Sequence, residues 1–186
     1  DYATELNLPT PNQACNRSLV FFPGSTIGNF TPTEAISFLK RFYKLCQQGE
    51  SPGQLLIGFD LKKDRQTLEA AYNDSQGITA EFNLNLLHRI NNELQGHFEI
   101  DQWQHEARWN EETSAVEMHL VSKAPQTARI NGDHFDFKAG DSIHTENSFK
   151  YQSRELEHLA KEAGFALIQG WSDPQNRFQV QLYQAQ

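Results

Sequence analysis

An α/β fold is expected from this chain: an open sheet interrupted by an inserted α+β region. Three observations lead there. Two apolar runs at 18–22 and 54–61 flank a stretch with helical periodicity, which reads as a βαβ unit. The middle of the chain then changes to two helical stretches followed by alternating strand patterns. The chain closes with a helix and two further strands that read as an antiparallel hairpin.

The elements follow in order. Leu19-Val20-Phe21-Phe22 is a buried-strand pattern that ends in the small-residue turn Pro23-Gly24-Ser25. From Thr33 to Gln48, apolar residues fall at 35, 36, 38, 39, 42, 43 and 45, one helical face. Thr31 or Thr33 can cap its start, and Gly49 ends it. The strand Leu55-Leu56-Ile57-Gly58-Phe59-Asp60 finishes on an acid at the sheet edge that carries the glycine turn, through a right-handed parallel crossover. Lys62 to Asn73 and Thr79 to Leu94 read as helices separated by Gly77. Trp103, His105, Ala107 and Trp109 alternate, as do Val116, Met118 and Leu120, so Asn110 to Ser114 turns a hairpin. Asn131-Gly132-Asp133 and Gly140-Asp141 mark further turns. Ser153 to Ala163 is a helix closed by Gly164, and strands follow at 165–171 and 178–183. The expected division is 1–65 with 149–186 for the sheet, and 66–148 for the insertion.

Composition excludes several classes. At 186 residues the chain can build one cored domain with a sizeable insertion. Sixteen basic against 24 acidic residues leave a net charge of -8, and no basic run offsets it, so a nucleic-acid partner is not expected. No apolar stretch approaches the ~18 residues of a membrane span. Asp1 to Glu5 lacks the basic and apolar regions of a signal peptide. Cys15 and Cys46 have no C-x-x-C spacing and read as reduced thiols. The expected location is cytoplasmic.

The most informative stretch is Phe21 to Phe30. In an open α/β sheet, ligands bind at the carboxyl ends of the strands. That place holds Gly24 and Gly28, which let backbone approach a ligand, together with Ser25, Thr26 and Asn29. A phosphate loop is excluded because the G-K-[ST] ending is absent, and Ser25 lacks the G-x-S-x-G elbow of a nucleophile. The seven histidines form no H-x-x-x-H or H-E-x-x-H pair, so no metal is expected. His105 and His119 read as exposed cross-strand neighbours. Glu146 and Ser148, two apart on an extended segment, project to one side and can together take a ring N–H or an ammonium. Tyr72 and Met118 are packing residues by default.

Several phrases acting together change that default. They are Phe22-Pro23-Gly24-Ser25-Thr26-Ile27-Gly28-Asn29, Ala71-Tyr72-Asn73-Asp74, Gly77-Ile78-Thr79-Ala80-Glu81-Phe82-Asn83, Val116-Glu117-Met118-His119-Leu120, and His144-Thr145-Glu146-Asn147-Ser148-Phe149-Lys150. Ala163-Gly164-Phe165 and Trp171-Ser172-Asp173 complete the set. With them the chain resembles the histidine-specific Nα-methyltransferases of ergothioneine biosynthesis, from Asp1 to nearly its last residue. The resemblance implies a partial class I methyltransferase (Rossmann-like) sheet with an inserted α+β substrate domain. It implies S-adenosylmethionine as co-substrate and histidine as the small-molecule substrate, methylated three times on its α-amine to hercynine. By the family motif, Asn29 holds the amino acid's polar end and is the catalytic candidate. Tyr72 bonds the carboxylate, Glu146 and Ser148 read the imidazole, and Met118 lines the ring pocket, with Phe82 a weaker packing candidate. Asp1 and Tyr2 are expected at the adenine, and Gly24 and Ser25 on the cofactor side. No glycine-rich loop precedes Leu19, so the chain resembles the later portion of such an enzyme. The alternative is a non-catalytic amino-acid-binding module. Neither reading specifies an oligomeric state.

Overall fold

The computed structural model describes residue 12 and residues 15–186. Its elements run β1 (Leu19–Phe22), a 3-10 turn (Thr26–Asn29), α1 (Pro32–Cys46), β2 (Gln54–Asp60), α2 (Arg65–Tyr72) and α3 (Ile78–Glu93). After a second 3-10 turn (Ile100–Gln102) come β3 (Trp103–Asn110), β4 (Ala115–Ser122), β5 (Gln126–Ile130), β6 (Asp133–Phe137) and β7 (Ser142–Phe149). The chain ends with α4 (Ser153–Glu162), β8 (Phe165–Ser172) and β9 (Phe178–Ala185). Two compact units result, one from residues up to Lys62 with Phe149–Gln186, the other Lys63–Ser148. Among the described residues no helix is long and apolar enough to cross a membrane.

The first unit is a four-stranded sheet in the order β1-β2-β9-β8. β1 and β2 are parallel, from Leu19 opposite Gln54 to Phe22 opposite Ile57, with α1 as the crossover. β9 is antiparallel to both β2 and β8, so it lies reversed between two strands of common direction. α1 starts where the chain chemistry places it. Thr31 caps it, its N–H donating to Glu34 Oε2 at 2.9 Å while its hydroxyl accepts from the Glu34 N–H, and Pro32 needs no amide partner there. The helix buries Ala35, Phe38, Leu39, Phe42 and Cys46. Phe22 meets Phe38 and Phe42 at ring-centroid distances of 5.3 and 5.2 Å, and Phe30 stacks on Phe38 at 4.7 Å. Gly164, at φ +99°, ends the last helix in the left-handed conformation that glycine adopts without strain. Among the described residues β1 is the outermost strand, and its Leu19 and Phe21 are 56% and 65% exposed.

One glycine of β2 lies hard against the turn that follows β1. A Cβ on Gly58 would stand 2.2 Å from the Pro23 carbonyl oxygen and 2.8 Å from Phe178 Cζ. Gly58→Ala is therefore expected to destabilise the protein by about 1–3 kcal/mol through overpacking, read from urea unfolding.

The second unit packs α2 and α3 against a three-stranded sheet in the order β3-β4-β7, beside the hairpin β5-β6. Leu87 of α3 joins Phe98, Trp103, Leu120 and Ala128 in one apolar cluster. Leu68 of α2 joins Ala107, Val116 and Met118 in another. α2 begins later than the periodicity suggests, because Asp64 caps it by accepting from the Thr67 N–H at 2.8 Å. α3 is entered through Gly77 at φ +74°, and the Asp74 carboxylate takes the N–H groups of Ile78 and Thr79 at 2.9 and 2.8 Å. The Thr79 side chain and these amides hold the Asp74 carboxyl down to a pKa of about 2. Ile78, Phe82 and Leu86 form an exposed row on α3, with Phe82 at 69% exposure.

Candidate active site

In the first unit the turn after β1 is tied to β2 by Ser25. Its N–H donates to the Gly58 carbonyl at 3.1 Å and its Oγ accepts from the Asp60 N–H at 2.9 Å. Ser25 itself adopts φ 57°, which redirects the chain into the 3-10 turn. Gly24 is exposed, and a Cβ there would meet only Thr26 Oγ1 at 3.7 Å, so its backbone stays open to approach. Gly28 is the opposite case: a Cβ would lie 2.7 Å from the Phe149 carbonyl oxygen, so the chain at Phe149 presses directly on this turn. Asn29, the last residue of the turn, is exposed. Asp1 and Tyr2 lie outside the described residues.

Next to Phe149 is an ion pair that the sequence does not announce. Lys150 Nζ lies 3.2 Å from Asp60 Oδ2, with the lysine side chain only 1% exposed. Tyr151 continues the contact, accepting from the Lys62 N–H at 3.1 Å and bridging to Leu61. An acid ending a strand was legible. Its buried cation, 90 residues later in the chain, was not.

In the second unit two candidates meet directly. The Tyr72 hydroxyl and Ser148 Oγ are 2.8 Å apart, joining the end of α2 to β7 across 76 residues. Met118 is 4% exposed, in the cluster against which Tyr72 packs, and its carbonyl accepts from Thr145 Oγ1 at 2.9 Å. Glu146 is half-buried, and no hydrogen bond or ion pair reaches its carboxylate among the described residues. Burial alone raises its pKa above the usual carboxylate range.

Residues outside the sequence-derived set hold Tyr72 in place. His105 Nε2 donates to the Tyr72 carbonyl at 2.8 Å, which leaves Nδ1 to accept from Asn83 Nδ2 at 2.9 Å. Asn73 accepts from the Ala107 N–H at 2.8 Å and donates to its carbonyl at 2.9 Å. The reading of His105 and His119 as exposed cross-strand neighbours is therefore corrected. The register sets His105 opposite Leu120 and Glu106 opposite His119, so the two rings lie on opposite faces of the pleat. His119 is 9% exposed, and burial holds its pKa below the usual imidazole value against the opposing pull of Glu117.

The Glu146 shift has a testable sign. A carboxyl whose pKa is raised on folding favours the fold while protonated, and that advantage is lost as pH rises through the folded-state pKa. Glu146→Gln is thus expected to raise Tm at neutral pH, with the gain shrinking in acid below the ordinary glutamate range. Thermal unfolding at both pH values checks it.

A sheet closed by a reversed strand between two strands of common direction, carrying an α+β insertion, has the architecture of the closing part of a methyltransferase sheet. The chain belongs to the SAM-dependent, histidine-specific methyltransferase family, whose model matches residues 1–185. A histidine N-alpha-methyltransferase of Mycolicibacterium smegmatis is 39% identical over 168 residues, covering 89% of this chain and 51% of that protein. The histidine N-alpha-methyltransferase of Mycobacterium tuberculosis has the same identity and coverage. Ergothioneine biosynthesis protein 1 of Schizosaccharomyces pombe is 27% identical over 154 residues, 82% of this chain and 20% of that protein. The chain spans about half the length of the two mycobacterial relatives.

Proposed function

We propose that this chain serves methyl transfer from S-adenosylmethionine to the α-amine of histidine, repeated three times to give the betaine hercynine. The observation that carries this reading is Glu146: a half-buried carboxylate with no hydrogen-bond or ion-pair partner among the described residues, two residues from Ser148, whose hydroxyl is engaged by Tyr72. An acid and a hydroxyl so placed suit the N–H groups of an imidazole. A site that bonds a substrate N–H rejects analogues lacking it, because its own polar groups are then left unpaired. Met118 supplies an apolar wall for the ring, and Tyr72 a hydroxyl for the carboxylate.

S-adenosylmethionine, when bound, supplies an electrophilic sulfonium methyl. The exposed backbone at Gly24, with Ser25 beside it, suits close approach of such a ligand, and Asp1 and Tyr2 are assigned to its adenine end. The protein's task is alignment, which can supply on the order of 7–11 kcal/mol of barrier reduction. An α-amine titrating near ~8 must lose its proton to attack, and desolvation favours that form. The Asn29 amide oxygen accepts an N–H of the neutral amine and so directs its lone pair.

The test is incubation of the full-length protein with histidine and S-adenosylmethionine, followed by mass spectrometry. Mono-, di- and trimethylated histidine are expected, and their absence overturns the reading. Because the chain spans about half its relatives' length, a second reading is an amino-acid-binding module. Calorimetry of this chain that shows histidine binding with no methyl transfer by the full-length protein favours that module.

A further inference from the structure

We propose that Glu117, His119 and His144 form a binding site for a divalent transition ion of the zinc class. These side chains come from β4 and β7, and their ligating atoms lie within 4.8 Å of one another. Two imidazoles and a carboxylate are a donor set suited to Zn²⁺, Co²⁺ or Ni²⁺ rather than to Mg²⁺ or Ca²⁺.

The surrounding hydrogen bonds prepare the donors. His144 Nε2 lies 3.2 Å from the Glu146 carbonyl and 3.0 Å from Asn147 Oδ1. Two acceptors at one nitrogen make it the N–H, which leaves the Nδ1 lone pair for an ion. His119 Nε2 already faces Glu117 Oε2 at 3.4 Å, and Ser142 Oγ stands 3.3 Å from its Nδ1. Glu117 Oε1 accepts from Asn110 Nδ2 at 2.7 Å. Each of the three ligands thus has an outer partner of the kind that orients metal ligands.

The present arrangement is looser than a loaded one. The two imidazoles stack at 4.9 Å between centroids and 19° between planes. Donors about 2.0–2.2 Å from a tetrahedral ion lie roughly 3.3–3.6 Å apart. Closing that gap requires rotation of His144, which is exposed. That exposure also gives an ion a path from solvent.

The experiment is titration of this chain with Co²⁺, followed by the visible absorption of the bound ion, and with Zn²⁺ in competition. One equivalent is expected. His144→Ala, at an exposed position, should weaken binding at least about tenfold, and Ser142→Ala about tenfold as the loss of an outer partner. Circular dichroism checks that both variants remain folded. Absence of Co²⁺ uptake by the parent chain overturns the proposal. Unchanged affinity in His144→Ala does so too, since the ion would then sit on other histidines.

Discussion

Replacing Glu146 by alanine in the full-length protein is expected to lower kcat/KM for histidine by about 10–150-fold, the loss of one charged hydrogen bond of about 1.5–3 kcal/mol. Affinity for S-adenosylmethionine should be unchanged. The asymmetry follows from the proposed division of labour: Glu146 serves the ring and Asn29 with its turn serves the amine. Calorimetric titration with each ligand separates the two. Equal weakening of both ligands would remove Glu146 from the ring-reading role. The same substitution should reduce discrimination between histidine and amino acids whose side chains lack a ring N–H, because the group that penalises them is gone.

Asp60→Ala is expected to destabilise the protein by about 3–5 kcal/mol, the usual effect of removing one partner of a buried ion pair. Lys150, 1% exposed, would lose the carboxylate that lies 3.2 Å from its Nζ. The double variant Asp60→Leu with Lys150→Met should recover much of the loss, since a buried pair replaced by apolar groups of similar size is often tolerated. Urea unfolding of the three proteins checks this, and a double variant no more stable than Asp60→Ala would show that the ion pair is not the origin. The effect should extend to catalysis. The carbonyl of Phe149, the residue before Lys150, abuts Gly28, next to the proposed catalytic Asn29.

What could be read from the sequence was local. The Thr31–Glu34 cap, the helical face of α1, the β3–β4 hairpin and the closing glycine at 164 each depend on residues a few positions apart. Their physics is contained in short windows. Tyr72, Met118, Glu146 and Ser148 were visible as motif residues, yet only the coordinates give the Tyr72–Ser148 bond, because it joins positions 76 apart. The same holds for Lys150 with Asp60, and for His105 beneath Tyr72. Phe82 shows the other limit. Periodicity counts apolar residues on a helix without telling which of them meet a partner, and on α3 Leu87 is buried while Phe82 is not. The grouping of His119 with His144 escaped for a similar reason. Metal spacing rules describe ligands on one helix or loop, whereas these side chains come together across separate strands.

The outer position of β1 has a practical corollary for handling the chain. Among the described residues β1 borders its sheet, and that border with two exposed apolar side chains, Leu19 and Phe21, offers a template for strand-to-strand accretion. Concentrated solutions of this polypeptide are therefore prone to aggregate through that border, and crystallisation or spectroscopy will be best served at low concentration.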